Sequence, residues 1–92
     1  MTELHNVSAG DVLREEFMLP FGLSARALAA EIGVPANRLS DIVRGRRSVT
    51  ADTAILLAER FGTSAEFWMN LQVAYDLEEA REKLASRHRS TL

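Results

Sequence analysis

The chain has 92 residues, enough for one small domain and too few for a large enzyme. With 47% hydrophobic and 26% charged residues the composition is that of a globular protein, which argues against disorder. The formal net charge of -2, taken alone, speaks against a nucleic-acid partner, because phosphate contacts need Lys and Arg.

Glycines at 22, 33, 45 and 62 follow apolar-periodic segments, and Ser or Thr recurs ahead of the next one, which reads as helix stop and start throughout. The spacing predicts a first helix from about Gly10 to Leu19, opened by a capping box of Ser8 and Asp11 and ended by Pro20, with Val12, Leu13 and Phe17 inward. Ser24 caps a second helix with Leu28, Ala29 and Ile32 on one face, closed by Gly33. Pro35 suits the first turn of a third, whose inner face is Leu39, Ile42 and Val43. Thr50 caps a fourth carrying Ala54, Ile55, Ala58 and Phe61. Ser64 caps a long fifth helix to about Leu84, leaving Ser86 to Leu92 as a frayed tail. No strand pattern or internal repeat is present, so residues 1–92 form a single all-α domain of five helices.

Charge is unevenly spread along these helices. Residues 1–20 are net acidic and residues 51–92 mildly so, whereas residues 21–50 hold Arg26, Arg38, Arg44, Arg46 and Arg47 against only Glu31 and Asp41. Basic charge is concentrated where a nucleic acid could meet it. The same stretch, Leu23 to Ile42, joins two short helices by a tight turn at Gly33, a helix-turn-helix spanning about residues 24–44. Small Ala29 allows close approach, Gly33 accepts the positive φ of the turn, and Val34, Leu39 and Ile42 lock the interhelix angle. In DNA binders of this layout the second helix enters the major groove by its N-terminal residues while the N-terminus of the first faces phosphate. That geometry nominates Ser24 and Arg26 on the first helix, Ala36, Asn37, Arg38, Ser40 and Asp41 on the second, and Arg44, Arg46, Arg47 and Ser48 beyond it.

The helix-turn-helix followed by Arg44-Gly45-Arg46-Arg47-Ser48-Val49-Thr50 and a fourth helix resembles the lambda-repressor-like, or XRE, group. The stretch Phe61-Gly62-Thr63-Ser64-Ala65-Glu66-Phe67-Trp68-Met69-Asn70-Leu71-Gln72, continued by Tyr75-Asp76-Leu77, is similar to the HigA/VapI-type antitoxins. The resemblance covers about Gly10 to Leu84. It implies a lambda-repressor-like fold in a small dimer that binds a palindromic operator, represses its own operon and neutralises a cognate RelE-like toxin that cleaves messenger RNA. Matching the chain to the repressors puts Ala36, Asn37 and Asp41 at positions that often touch base edges. Ala36 offers only apolar contact, as to a thymine methyl, and Asn37 suits adenine N6 and N7. Asp41 is acceptor-only: it either reads a cytosine amino group or forms a solvated ion pair with Arg38 or Arg44, each three residues away.

On the fifth helix, Phe67, Trp68, Leu71, Ala74 and Tyr75 share one arc at about 100° per residue and should close the core. Met69, Val73, Leu77, Ala80 and Leu84 fall on a second arc, the last four spaced as a short coiled-coil seam would be. One small domain offers a single core, so the second arc is read as a homodimer interface, with a flanking tail as the alternative cover. A dimer would hold two reading helices about one helical turn of DNA apart.

A ribonuclease that grips RNA must be basic, so a neutralising partner gains from acidic surface. If helix 5 is committed to the dimer, Asp11, Glu15 and Glu16 on helix 1 are the freer candidates for toxin contact, although an acid in the first turn, as Asp11 is, also serves the helix dipole.

No catalytic or cofactor signature accompanies these features. His5 and His88 stand at opposite ends, no HExxH, GxSxG or Gly-rich phosphate loop occurs, and the absence of cysteine rules out disulfides and thiolate zinc sites. No enzyme, metal or cofactor is expected. No apolar run approaches the roughly 18 residues of a spanning helix and Met1 to Asn6 lacks the pattern of a secretory signal, so a cytoplasmic protein without membrane contact is expected. Two other readings remain: a stand-alone XRE regulator with no toxin, and a protein-interaction module whose basic stretch is merely solvated.

Overall fold

The computed structural model describes the backbone of residues 6–90 and the side chains of residues 6–87. Five helical segments follow one another: α1 (Ala9–Val12, prolonged by a π turn over Leu13–Met18 and a 3-10 turn over Leu19–Phe21), α2 (Ala25–Ile32), α3 (Ala36–Val43), α4 (Ala51–Phe61) and α5 (Ala65–Ser90). The start signals act locally. Ser8 and Asp11 form a reciprocal capping box, the Asp11 N–H donating to Ser8 Oγ (3.1 Å) and the Ser8 N–H to Asp11 Oδ2 (3.0 Å). Ser24 Oγ accepts the Ala27 N–H (3.1 Å) and Ser64 Oγ the Phe67 N–H (3.0 Å).

Pro20 does not end the first helix but reshapes it. With no N–H to continue the ladder, the preceding turn widens so that the Leu19 N–H donates to the Arg14 carbonyl five residues back, and the chain closes as a 3-10 turn at Phe21 before Gly22. In a turn of that width residues five apart share a face, which buries Met18 alongside Leu13 and leaves Val12 only half-buried. Pro35 stands just outside α3 as its N-cap, with φ -61° and ψ 140°. Thr50 occupies the N-cap position of α4 without bonding a helix N–H; its hydroxyl donates instead to the Asp52 carboxylate. On α4 the inward stripe is Thr53, Ala54 and Leu57, while Ile55 is exposed. Ala74, expected on the core arc of α5, is also exposed.

The core runs from Ala9 and Leu13 through Leu28, Ala29, Leu39, Ile42, Val49, Ala54 and Leu57 to Trp68. Trp68 is its largest member and donates its indole N–H to Thr63 Oγ1 (2.8 Å), so the ring is buried without an orphaned donor. Phe17 packs on it at 5.2 Å between ring centroids and on Phe61 at 5.0 Å, tying α1, α4 and α5 together. The other tie is a backbone one. Gly10 is buried against α3 so closely that a Cβ there would lie 1.8 Å from the Ile42 carbonyl oxygen.

α5 continues past its packed first half. Its 26 residues span roughly 39 Å and give the molecule a long dimension of 51 Å against 27 and 22 Å. The frayed tail expected from Ser86 is helical through Ser90; Thr91 and Leu92 lie outside the described residues, as do His5 and the side chain of His88. Among the described residues no helix is long and apolar enough to cross a membrane.

Candidate nucleic-acid interface

The turn between α2 and α3 is built as its residues dictate. Gly33 adopts φ 79° and its N–H donates to the Ala29 carbonyl (2.8 Å), as does the Val34 N–H (3.1 Å), closing α2 while Leu39 and Ile42 fasten α3 to the core. What remains of α3 faces outward. Ala36 and Asn37 are exposed, and Arg38, Ser40 and Asp41 half-buried. Ser24 is exposed at the N-cap of α2; its oxygen is taken by Ala27, and its O–H remains able to donate to an anion. Arg26 stands exposed two residues on, in the first turn of α2.

Beyond α3 the chain turns through Gly45 at φ 76°, with the Arg46 N–H reaching back to the Asp41 carbonyl (2.8 Å). This projects Arg44, Arg46, Arg47 and Ser48 as one exposed run. Among the described residues Arg26, Arg44, Arg46 and Arg47 form no ion pair, so their charge is open to phosphate. Arg38 differs: its guanidinium lies 3.8 Å from the Asp52 carboxylate at the start of α4. The Thr50 hydroxyl chiefly, then the Thr53 N–H and more weakly Arg38, hold the Asp52 carboxyl below its ordinary value. Of the two readings of Asp41, the ion pair with Arg38 or Arg44 is not made: Asp41 is half-buried and forms no ion pair among the described residues.

Two residues of this surface escaped the sequence reading. Gln72, 8% exposed, reaches from α5 into the α3–α4 loop, where its Oε1 accepts the Val49 N–H (2.8 Å). Its Nε2 donates to Ser48 Oγ (3.3 Å) and to Asp76 Oδ1 (3.0 Å). Gly10 is the other, since the closeness of α1 to the end of α3 depends on its missing side chain. A polar residue inside an aromatic-rich segment was the available signal for Gln72; for Gly10 there was none.

Of the second arc on α5, Met69 belongs partly to the core, packed against its buried members. Val73, Leu77 and Leu84 are 51%, 47% and 55% exposed, and Ala80 is exposed with them. On α1 the acids are unequal. Asp11 is engaged by the Ser8 N–H and lies 3.7 Å from Arg14, and Glu15 pairs with Arg14 at 2.9 Å, whereas Glu16 is exposed with no ion-pair partner among the described residues. The three acids line a shallow cleft of about 310 Å³ with Val7, Val12 and Arg14.

A helix-turn-helix family model matches residues 13–68. The chain is 46% identical over 80 residues to virulence-associated protein I of Dichelobacter nodosus, covering 87% of this chain and 74% of that one. It is 40% identical over 82 residues to antitoxin HigA-1 of Vibrio cholerae, covering 89% and 77%. The solved structure of Pseudomonas aeruginosa antitoxin HigA with the higBA promoter superposes with a TM-score of 0.86 at 40% identity, covering 96% of each chain. On these likenesses the chain belongs to the XRE-type helix-turn-helix family and, within it, to the HigA-like antitoxins.

Proposed function

We propose that this protein is a cytoplasmic antitoxin that binds operator DNA as a homodimer, represses its own operon and neutralises a basic, RelE-like toxin that cleaves messenger RNA. The observation that carries the DNA reading is the run Arg44, Arg46 and Arg47, exposed and, among the described residues, without ion pairs, on the same helix-turn-helix as the exposed Ala36 and Asn37 that open α3. The likeness to an antitoxin solved with its promoter supports it. In this reading Ser24, Arg26 and the loop arginines hold phosphates and set the register, while Asn37 and Ala36 read base edges. The seam of Val73, Leu77, Ala80 and Leu84 accepts a second copy, and a two-fold dimer then calls for a palindromic site with half-sites about 34 Å apart. The acidic strip on α1, strongest at Glu16, is the surface offered to the toxin.

The test compares a duplex from upstream of the gene with an unrelated one. Arg46→Ala should weaken both alike, whereas Asn37→Ala should reduce mainly the preference for the upstream duplex, by about 1 to 3 kcal/mol for each bidentate base interaction removed. Variants that bound both duplexes like the parent would remove the helix-turn-helix from the DNA interface. A basic protein of about 10 kDa or a little more co-purifying with the chain would identify the toxin.

A further inference from the structure

The loop joining α3 to α4 carries the cations on which DNA binding rests, yet it does not hold its own shape. Its backbone bonding to α3 ends at Arg46. Val49, three residues on, is 3% exposed, and its N–H finds no backbone carbonyl among the described residues. It donates to Gln72 Oε1 at 2.8 Å, across 23 positions of sequence. A buried backbone donor must be paired somewhere, so the path of the loop through Ser48 and Val49 is selected by one side chain on α5. Asp76, one turn further along α5, accepts the Gln72 Nε2 at 3.0 Å and thereby turns the amide oxygen toward Val49. The same nitrogen reaches Ser48 Oγ at 3.3 Å. Arg46 and Arg47 immediately precede this anchored pair, so where their side chains leave the surface depends on it.

We propose that Gln72, oriented by Asp76, is a positioning residue for DNA binding: it sets the loop so that Arg46 and Arg47 meet the phosphate backbone. The proposal rests on the DNA reading above. It also gives a role to the polar interruption of an otherwise core-closing arc, because a leucine at position 72 would fill the space and leave the Val49 N–H unpaired.

The experiment measures binding of the full chain to the upstream and unrelated duplexes by fluorescence anisotropy over a range of salt. Hydrogen exchange of the Val49 amide is followed in parallel. Gln72→Leu should weaken both duplexes about tenfold, one charge-assisted hydrogen bond's worth. It should also lower the slope of log K against log salt by about 0.9 for each phosphate no longer neutralised. The preference between the duplexes should stay unchanged, and the Val49 amide should lose protection. Simple destabilisation would not alter the salt slope of the folded fraction. Gln72→Glu keeps the acceptor but sets a carboxylate against Asp76, and should weaken binding; adding Asp76→Asn returns a donor to the pair and should restore it. An unchanged salt slope and unchanged Val49 exchange in Gln72→Leu would overturn the proposal, as would a double variant no better than Gln72→Glu. A parent that bound no duplex would refute the DNA reading itself, whereas a binding parent with an unaffected Gln72→Leu would refute only the role of Gln72.

Discussion

Replacing Gly10 by alanine puts two effects of opposite sign against each other. Helix propensity favours alanine by about 1 kcal/mol. Against that, the new Cβ would sit 1.8 Å from the Ile42 carbonyl oxygen, 2.8 Å from its carbon and 3.0 Å from Val43 Cα. All three are backbone atoms of α3, so no side chain can swing aside, and relief requires α1 and α3 to part by about 1.5 Å. Overpacking a core costs typically about 1 to 3 kcal/mol, and a rigid backbone neighbour places this case at or above the upper end. The net loss is then about 2 kcal/mol or more, which for a domain of this size lowers Tm by about 10 °C. Gly33→Ala is the control: nothing lies within 4 Å of its Cβ, so only the positive φ resists, at about 1 to 2 kcal/mol. Thermal unfolding followed by circular dichroism reads both, and duplex binding reads the displacement of α3. A Gly10→Ala variant as stable as the parent, or more so, would show that propensity wins and that the close approach of α1 to α3 is wrong.

Leu77→Glu or Leu84→Glu should give a folded monomer with poor affinity for the upstream duplex, because a charge in a small two-fold seam is counted twice per dimer; an unchanged dimer in sedimentation would remove the seam. Trp68→Ala acts on the other face of the same helix. It should destabilise the fold by about 3 to 5 kcal/mol and so be read first in Tm. Glu15→Lys with Glu16→Lys should slow toxin association, most at low salt, with DNA binding retained or slightly strengthened, since the change also releases Arg14 from Glu15; unaltered association rates would move the toxin interface off α1.

What was legible in the chain was what is decided locally. The Ser8/Asp11 box, the Ser24 and Ser64 caps and the positive φ of Gly33 each depend on residues within a few positions, and each stands where the spacing puts it. Misplacements arose where a distant or irregular contact prevails. A 3.6-residue period cannot anticipate the π turn that Pro20 induces, so Met18 was missed and Val12 overvalued. On α4 the apolar count favours Ile55, yet Thr53 is the residue turned inward because α4 meets the core on that side. Ser86 to Ser90 read as a tail, but a helix already nucleated by its packed half extends through them. Gln72 and Gly10 act across 23 and about 30 positions of sequence, beyond the reach of any periodicity.

The net charge of -2 misdirects for a related reason: it sums what the fold keeps apart. At physiological ionic strength an exposed charge is felt over about 8 Å, so a phosphate responds to the groups beside it and hardly to the total. Several acids are locally answered, Glu31 by Arg60, Asp52 by Arg38 and Thr50, and Asp11 and Glu15 by Arg14. The arginines of the α3–α4 loop are not, and Asp76, which reaches that loop through Gln72, pairs with none of them. Separation of this kind lets one small chain keep a cationic face at the α3–α4 loop and an acidic one on α1. Gly10 fixes that helix to the end of α3 on one side, while Glu15 and Glu16 stand exposed on the other.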